Sequence, residues 1–197
     1  MRSAEAERAL EVAGVSPRQI HWLGAVDQEA IFSAADLARS LAETLTRLDT
    51  DILITHPYEG GHPDHDSAAL IARLAAAQLD AERAPSLAEM TSYHAQNCHC
   101  VNGEFLNSCT EEEICIDLSP ADREQKRTMF SAYASQKLVL SSFGTDRERF
   151  RRAPDYDYSR PPHEGRLWYE CMGWSMTGRQ WRALAAQCMA QQEYACH

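Results

Sequence analysis

Thr55-His56-Pro57-Tyr58-Glu59-Gly60-Gly61-His62-Pro63-Asp64-His65-Asp66 is the stretch on which the reading of this chain turns. It follows Asp51-Ile-Leu-Ile-Thr55, a short β-favouring run of the kind found in buried parallel strands. It precedes Ser67 to Leu79, where Leu70, Ile71 and Leu74 resume helical periodicity. The predicted order is strand, loop, helix. Three imidazoles (His56, His62, His65) and three carboxylates (Glu59, Asp64, Asp66) crowd into the loop, Gly60-Gly61 lets the backbone turn tightly, and Pro63 stiffens it. The i, i+3 spacing of His62 and His65 puts both on one side of a first helical turn, so one can hold a metal while the other reaches a substrate. Asp64 is placed to orient an imidazole. Spacing alone leaves a second reading open, a hydrated turn whose carboxylates cap the helix beginning near Asp66.

Outward from that loop, the chain reads as one α/β domain. Residues 2 to 14 carry Ala6, Leu10 and Ala13 at helical spacing and end at Gly14. Arg18 to Leu23 reads as a short strand. Ser33-Ala-Ala-Asp36 can cap a second helix with a stripe of Leu37, Leu41, Leu45 and Leu48. Another strand is expected in Pro85 to His94, a hairpin around Asn102-Gly103, and a helix from Pro120 and Asp122 to Leu138. Residues 153 to 170 are expected to form an ordered polar aromatic loop. Thr177-Gly-Arg-Gln180 has the form of a capping box for a last helix with Trp181, Leu184 and Cys188 on one face. Strands alternating with helices predict a Rossmann-like three-layer fold with a mostly parallel sheet, and ligands in such folds sit beyond the carboxyl ends of the strands.

Composition bounds the function. The chain has 197 residues and is 44% hydrophobic, enough for a real core, and no apolar run approaches a membrane span. A net charge of −10 argues against a nucleic-acid partner. Seven cysteines (98, 100, 109, 115, 171, 188, 196) cannot all pair within one chain, and the charged N-terminus does not read as a signal peptide, so a reducing cytoplasm is expected. Cys98-His99-Cys100 with His94 offers a weak second metal reading beside the plainer one of incidental thiols on a surface hairpin. Cys171 and Cys188 are expected to pack as small hydrophobes. His163 could line a substrate entrance or simply be hydrated. Trp168, Tyr169, Trp174 and Trp181 could form an aromatic stacking wall, with Trp181 fitting the helix core better. Glu111 to Glu113 reads as a solvated charge run.

On these residues the sequence resembles the PIG-L, or LmbE-like, family of zinc-dependent N-acetylglucosamine deacetylases, whose second signature is His62-Pro63-Asp64-His65. Other stretches similar to the family are Arg2-Ser-Ala-Glu5 leading into Ala13-Gly-Val15, Leu23-Gly24 to Asp27, and Thr55-His-Pro57. Lys126 to Gln136, Arg160 to Gly165 and Gly173 to Gly178 extend the resemblance over nearly the whole chain. The resemblance implies a carbon-nitrogen hydrolase acting on an N-acetylated amino sugar or glycoconjugate. It assigns His65 as a ligand of Zn2+, His62 as the cationic acid beside the substrate carbonyl, Asp64 as the carboxylate holding His62, and Arg2 and Asp27 as sugar contacts. Those roles agree with the chemistry: zinc activates the attacking water, and an imidazolium stabilises the oxyanion and protonates the leaving amine.

The family's first signature, His-Pro-Asp-Asp-Glu, has no counterpart in these residues. Two zinc ligands and the general base go with it, so His65, with at most His56 as helper, is expected to bind zinc weakly or not at all. The expectation is an N-terminally shortened deacetylase, impaired as written, with a sheet edge that favours homo-oligomers. The alternative is a catalytically silent domain of the same fold that binds sugar or a partner.

Overall fold

The computed structural model describes residues 2–106 and 112–195, with side chains described as far as Gln192. In chain order the elements are α1 (Arg2–Val12), α2 (Ala34–Leu48), β1 (Ile52–Thr55), α3 (Pro63–Ala77), β2 (Ser86–Met90), β3 (Tyr93–Gln96) and β4 (His99–Asn102). They continue as β5 (Glu113–Asp117), α4 (Pro120–Ser131), α5 (Lys137–Leu140), β6 (Arg147–Arg152), α6 (Trp168–Cys171) and α7 (Gly178–Ala195). The chain falls into two compact units, residues 1–22 with 115–149 and residues 23–114 with 150–197. Among the described residues, no helix is long and apolar enough to cross a membrane.

In the first unit α1 packs on α4. Helix α4 starts at a reciprocal cap: Ser119 Oγ accepts from the Asp122 amide at 3.2 Å, and the Asp122 carboxylate accepts from the Ser119 amide at 3.3 Å. The predicted helix to Leu138 stops at Ser131 and continues as a 3-10 turn and the short α5. The 3-10 residue Ser135 donates its amide and hydroxyl to buried Glu5, tying that turn to α1. The strand expected over Arg18 to Leu23 does not form. Pro17–Gln19 is a 3-10 turn, with Gln19 Oε1 accepting from the Ser16 amide, and among the described residues no strand pairs with residues 20 to 23.

The second unit is built around helices α2, α3 and α7. Ala34, Ala38 and Ala42 are buried along α2, and these small side chains let it lie close against α3, whose Leu70, Ile71, Leu74 and Ala75 face inward. Leu37 and Leu45 carry the predicted stripe and Leu41 packs at its margin, whereas Leu48 is 53% exposed at the helix end. The expected Ser33 cap is not made by its side chain. Thr177 and Gln180 do form the predicted box at α7. Trp181 is fully buried, stacks on Tyr58 with 5.1 Å between ring centroids, and donates its indole N–H to Ser67 Oγ and the Pro63 carbonyl. It belongs to the core, as its periodicity predicts.

The strand order is β1-β2-β6-β5, with β3 and β4 as a separate hairpin. β1 and β2 are parallel, Ile52 opposite Ser86 through Thr55 opposite Glu89, while β2 and β6 are antiparallel, Ala88 opposite Arg152 through Met90 opposite Phe150. The fold is thus mixed α/β with a mostly antiparallel four-stranded sheet, and the expected Rossmann-like, mostly parallel sheet is corrected. Parallel pairing needs a crossover that returns the chain to the same end. The unit β1–α3–β2 supplies one, but β6 meets β2 from the opposite end. β1 is also not buried on both faces: Ile52 is 62% and Ile54 49% exposed. The strand expected in 85 to 94 is broken into β2 and the start of β3, and the hairpin turns at Asn97-Cys98, five residues ahead of the Asn102-Gly103 pair that ends β4.

Burial sets a charge problem between β2 and β6. Arg151 Nε donates to Glu89 Oε2 at 2.9 Å, the Tyr156 hydroxyl donates to the same oxygen at 3.0 Å, and the guanidinium lies 4.0 Å from the centre of the Phe105 ring. Burial pushes the Glu89 carboxyl up to about 7, against the opposing pull of Tyr156 and Arg151. A folded-state pKa above the ordinary 4.5 means that the native chain keeps a proton the unfolded chain has lost, so this group withdraws stability as pH rises between those two values.

Two measurements follow from this packing. Glu89→Gln is expected to flatten the fall in Tm between about pH 5 and about pH 8 relative to the wild type, and parallel Tm curves for the two proteins would contradict the assignment. Trp181→Ala is expected to lower urea-unfolding stability by roughly 3–5 kcal/mol, because it empties the largest fully buried side-chain site and strips Ser67 of a partner. A loss below about 1 kcal/mol would mean that the aromatic cluster does not carry the core.

Candidate active site

Residues 56–62 carry the chain from β1 into α3, and helix and loop hold each other. His62 is the N-cap of α3, its Nδ1 accepting from the Asp64 amide at 3.1 Å, with Pro63 supplying the first helical position. Asp66, fully buried, reaches back so that Oδ1 accepts from the Gly60 amide at 2.9 Å and the Glu59 amide at 3.2 Å. Burial pushes its carboxyl up to about 8, which leaves it protonated at neutral pH. The glycine pair is required here. Gly60 has φ +69°, and a β-carbon on it would lie 2.6 Å from Leu167 Cδ2; one on Gly61 would lie 1.8 Å from the Tyr93 carbonyl oxygen. The Trp168 amide donates to Gly60 O at 2.8 Å, so the loop is seated between the start of β3 on one side and α6 on the other.

Above this seat the imidazoles form a column. His56 and His65 stack with centroids 3.9 Å apart and planes within 1°, and His62 stands 5.1 Å from His65 and 4.9 Å from Trp174, the latter pair T-shaped. Tyr93 packs on His65 at 5.1 Å, and Ser92 Oγ lies 3.0 Å from His65 Nδ1. Burial holds His56 down to about 4 and His65 well below the usual histidine range, so both rings are neutral at pH 7. A neutral ring giving its Nδ1 proton to Ser92 keeps Nε2 open as a ligand atom. His62 is set the other way: an Nδ1 that accepts from an amide places the neutral ring's proton on Nε2, where it can be donated. The stacked pair cannot share one ion, because imidazole ligates in its own plane and two parallel planes this far apart have no common in-plane point.

Asp64 binds the loop before α2. Its carboxylate accepts from the Gln28 amide at 2.6 Å and the Ala30 amide at 3.2 Å, and Oδ2 lies 3.9 Å from His62 Nδ1. These two amides draw Asp27 into place, so that one ligand atom from each of Asp27, His62 and Asp64 falls within 4.8 Å of the others. Donors sharing one zinc at about 2.0–2.2 Å can stand no more than about 4.4 Å apart, so the set needs only slight closure. One imidazole with two carboxylates suits a divalent cation in kind, although Asp64 and His62 already accept backbone amides here.

Of the residues singled out in the sequence, the second unit brings Asp27, His62, Asp64 and His65 together, whereas Arg2 begins α1 in the first unit. Sequence reasoning missed Ser92, Tyr93 and Gln28, none of which carries a local signal, and it named Asp66 as a loop carboxylate without its raised pKa. His94 is buried 3.6 Å from Glu59 Oε2 and takes no part in a Cys98–Cys100 metal set. His163 hydrogen-bonds the neighbouring Glu164 carbonyl through Nδ1. Glu112 and Glu113 are exposed, while Glu111, Cys109 and Cys196 lie outside the described residues.

The cysteine reading is corrected at one position: Cys171 is not a packed thiol but is joined to Cys98 in a disulfide spanning 73 residues. Closing a loop of that size stabilises by roughly 4 kcal/mol on the chain-entropy view. Such bonds persist mainly in oxidising compartments, which weighs against the expected reducing cytoplasm. Cys188 is buried and free, as expected; Cys100 and Cys115 are free and exposed.

Comparison with curated proteins and with solved structures gave no match. A family model does match, and the stretches at 126–136, 160–165 and 173–178 lie outside it. Residues 1–76, less than half of the chain but including the whole of Thr55 to Asp66, are similar to the family PIG-L, GlcNAc-PI de-N-acetylase.

Proposed function

We propose that this chain is a zinc-dependent deacetylase that hydrolyses the N-acetyl amide of an amino sugar or glycoconjugate of the N-acetylglucosamine type. The observation that carries the reading is the opposite setting of two neighbouring histidines on one helical turn. His65, neutral and with Nδ1 engaged by Ser92, is suited to ligate; His62, with Nδ1 engaged by the Asp64 amide, is suited to donate from Nε2. When bound, zinc polarises the amide carbonyl and lowers the pKa of the attacking water. His62 offers its Nε2–H to the carbonyl oxygen as negative charge develops there, Asp64 stands beside that ring, and Trp174 packs against it. Asp27, the exposed member of the acidic pair, faces the sugar or completes the metal site; Arg2 is assigned to the sugar by the family resemblance. Metal retention is weak, since two of the three converging donors already serve the backbone.

A second arrangement is favoured by the convergence of Asp27, His62 and Asp64, which would place the ion on that set instead of on His65. Zinc titration and release of free amine from an N-acetylglucosaminide separate the possibilities. With zinc supplied, the chain is expected to deacetylate; His62→Ala should lower kcat by about 10²–10⁴ with zinc affinity retained, and His65→Ala should weaken zinc at least about tenfold. Loss of zinc in Asp27→Ala and in His62→Ala, with His65→Ala unaffected, would move the ion to the second set. Sugar binding without turnover by the zinc-loaded chain would overturn the enzyme reading in favour of a silent binding domain.

A further inference from the structure

Gly60-Gly61-His62 is held between two segments distant in sequence. On one side stand Ser92 and Tyr93, which touch His65 and receive the bare α-carbon of Gly61; on the other stand Leu167 and Trp168, which close on Gly60, and Trp174, which packs on His62. Neither side owes its position to the loop alone, because the Cys98–Cys171 bond joins the tip of the β3–β4 hairpin to the last residue of α6. The hairpin tip is itself an uncommon turn. Asn97 and Cys98 have φ of +52° and +57°, and the second of these places normally falls to glycine because a β-carbon is disfavoured there. Cys98 is exposed and Cys171 half-buried, so the bond is open to attack by a thiolate.

We propose that the Cys98–Cys171 disulfide is a redox-sensitive clasp that keeps the two walls of the candidate active site closed on the Gly60-Gly61-His62 loop, and that a dithiol reductant releases it. The exchange is balanced. The dithiol gives two electrons and two protons, the bond between Cys98 and Cys171 breaks to two thiols, and the reductant leaves as a disulfide. Released, the hairpin relaxes from its left-handed turn, Tyr93 withdraws from Gly61, and the Trp168 amide loses its hold on Gly60 O. His62 and His65 then lose the fixed relation on which paired ligation and proton donation depend. The catalytic part of this inference rests on the proposed deacetylase reading; the mechanical part does not.

Hydrogen exchange read by mass spectrometry on the metal-free chain tests the mechanical part, before and after dithiothreitol, with reduction verified by two additional alkylatable thiols. Exchange in peptides covering residues 57–62, 92–98 and 166–174 is expected to quicken at least about tenfold on reduction, while α2 stays protected. The double variant Cys98→Ala/Cys171→Ala should match the reduced chain and ignore dithiothreitol. Unchanged exchange in those three segments after verified reduction overturns the clasp. So does an equal rise in α2, which would mark the bond as a general staple, and so does a chain that forms no Cys98–Cys171 bond in air. Activity is compared between wild type and the double variant with zinc and no reductant, where at least about a fivefold loss is expected in the variant. If neither protein hydrolyses the amide, the deacetylase reading fails and the clasp stands or falls on exchange alone.

Discussion

The close approach of Gly61 to the Tyr93 carbonyl is the constraint on which the candidate site depends. No side chain fits at that point, so the backbone of the loop and the start of β3 touch directly, and everything above inherits their relative position. Asp66 closes the loop from beneath by taking the Glu59 and Gly60 amides, and Trp181 steadies the first turn of α3 through Ser67 and Pro63. The imidazole column is therefore mounted on a turn fixed by backbone contacts from three directions, which a packed but unpinned loop would not provide.

Electrostatics follow from the same enclosure. Burial makes charge costly, and the groups around the loop respond by becoming neutral: His56 and His65 lose a proton while Asp66 keeps one. Neutral imidazole is the form that ligates a metal, so the burial that serves packing also prepares the chemistry. Asp64 solves the opposite problem at the more open end of the site. Its charge is met by the Gln28 and Ala30 amides, which leaves a carboxylate beside His62 and carries Asp27 into the same neighbourhood.

The parts of the molecule that read correctly in sequence are those decided within a few residues. The helical stripe Leu37, Leu41, Leu45, the Thr177–Gln180 box and the helix start at Pro120 to Asp122 are all set by neighbours within four positions. The parts that misread depend on distant partners. Gln-Ile-His-Trp-Leu has strand-forming residues but, among the described residues, no strand pairs with it, and Ile52 and Ile54 look like core residues yet are exposed on β1. Strand direction was misjudged for the same reason, since alternation of strands and helices says nothing about the end from which β6 meets β2.

His62, Asp64 and His65 were legible because the spacing of three residues in a helix-starting turn leaves them little freedom to separate. By itself the sequence determined that these groups would share one end of a helix after a strand, a matter of local geometry. Tertiary structure alone decided which nitrogen of each ring is engaged, because Ser92 lies 27 residues from His65, and it alone paired Cys98 with Cys171 across 73 residues. Such contacts are made by closing long loops against chain entropy, and no pattern within the motif encodes where those loops return.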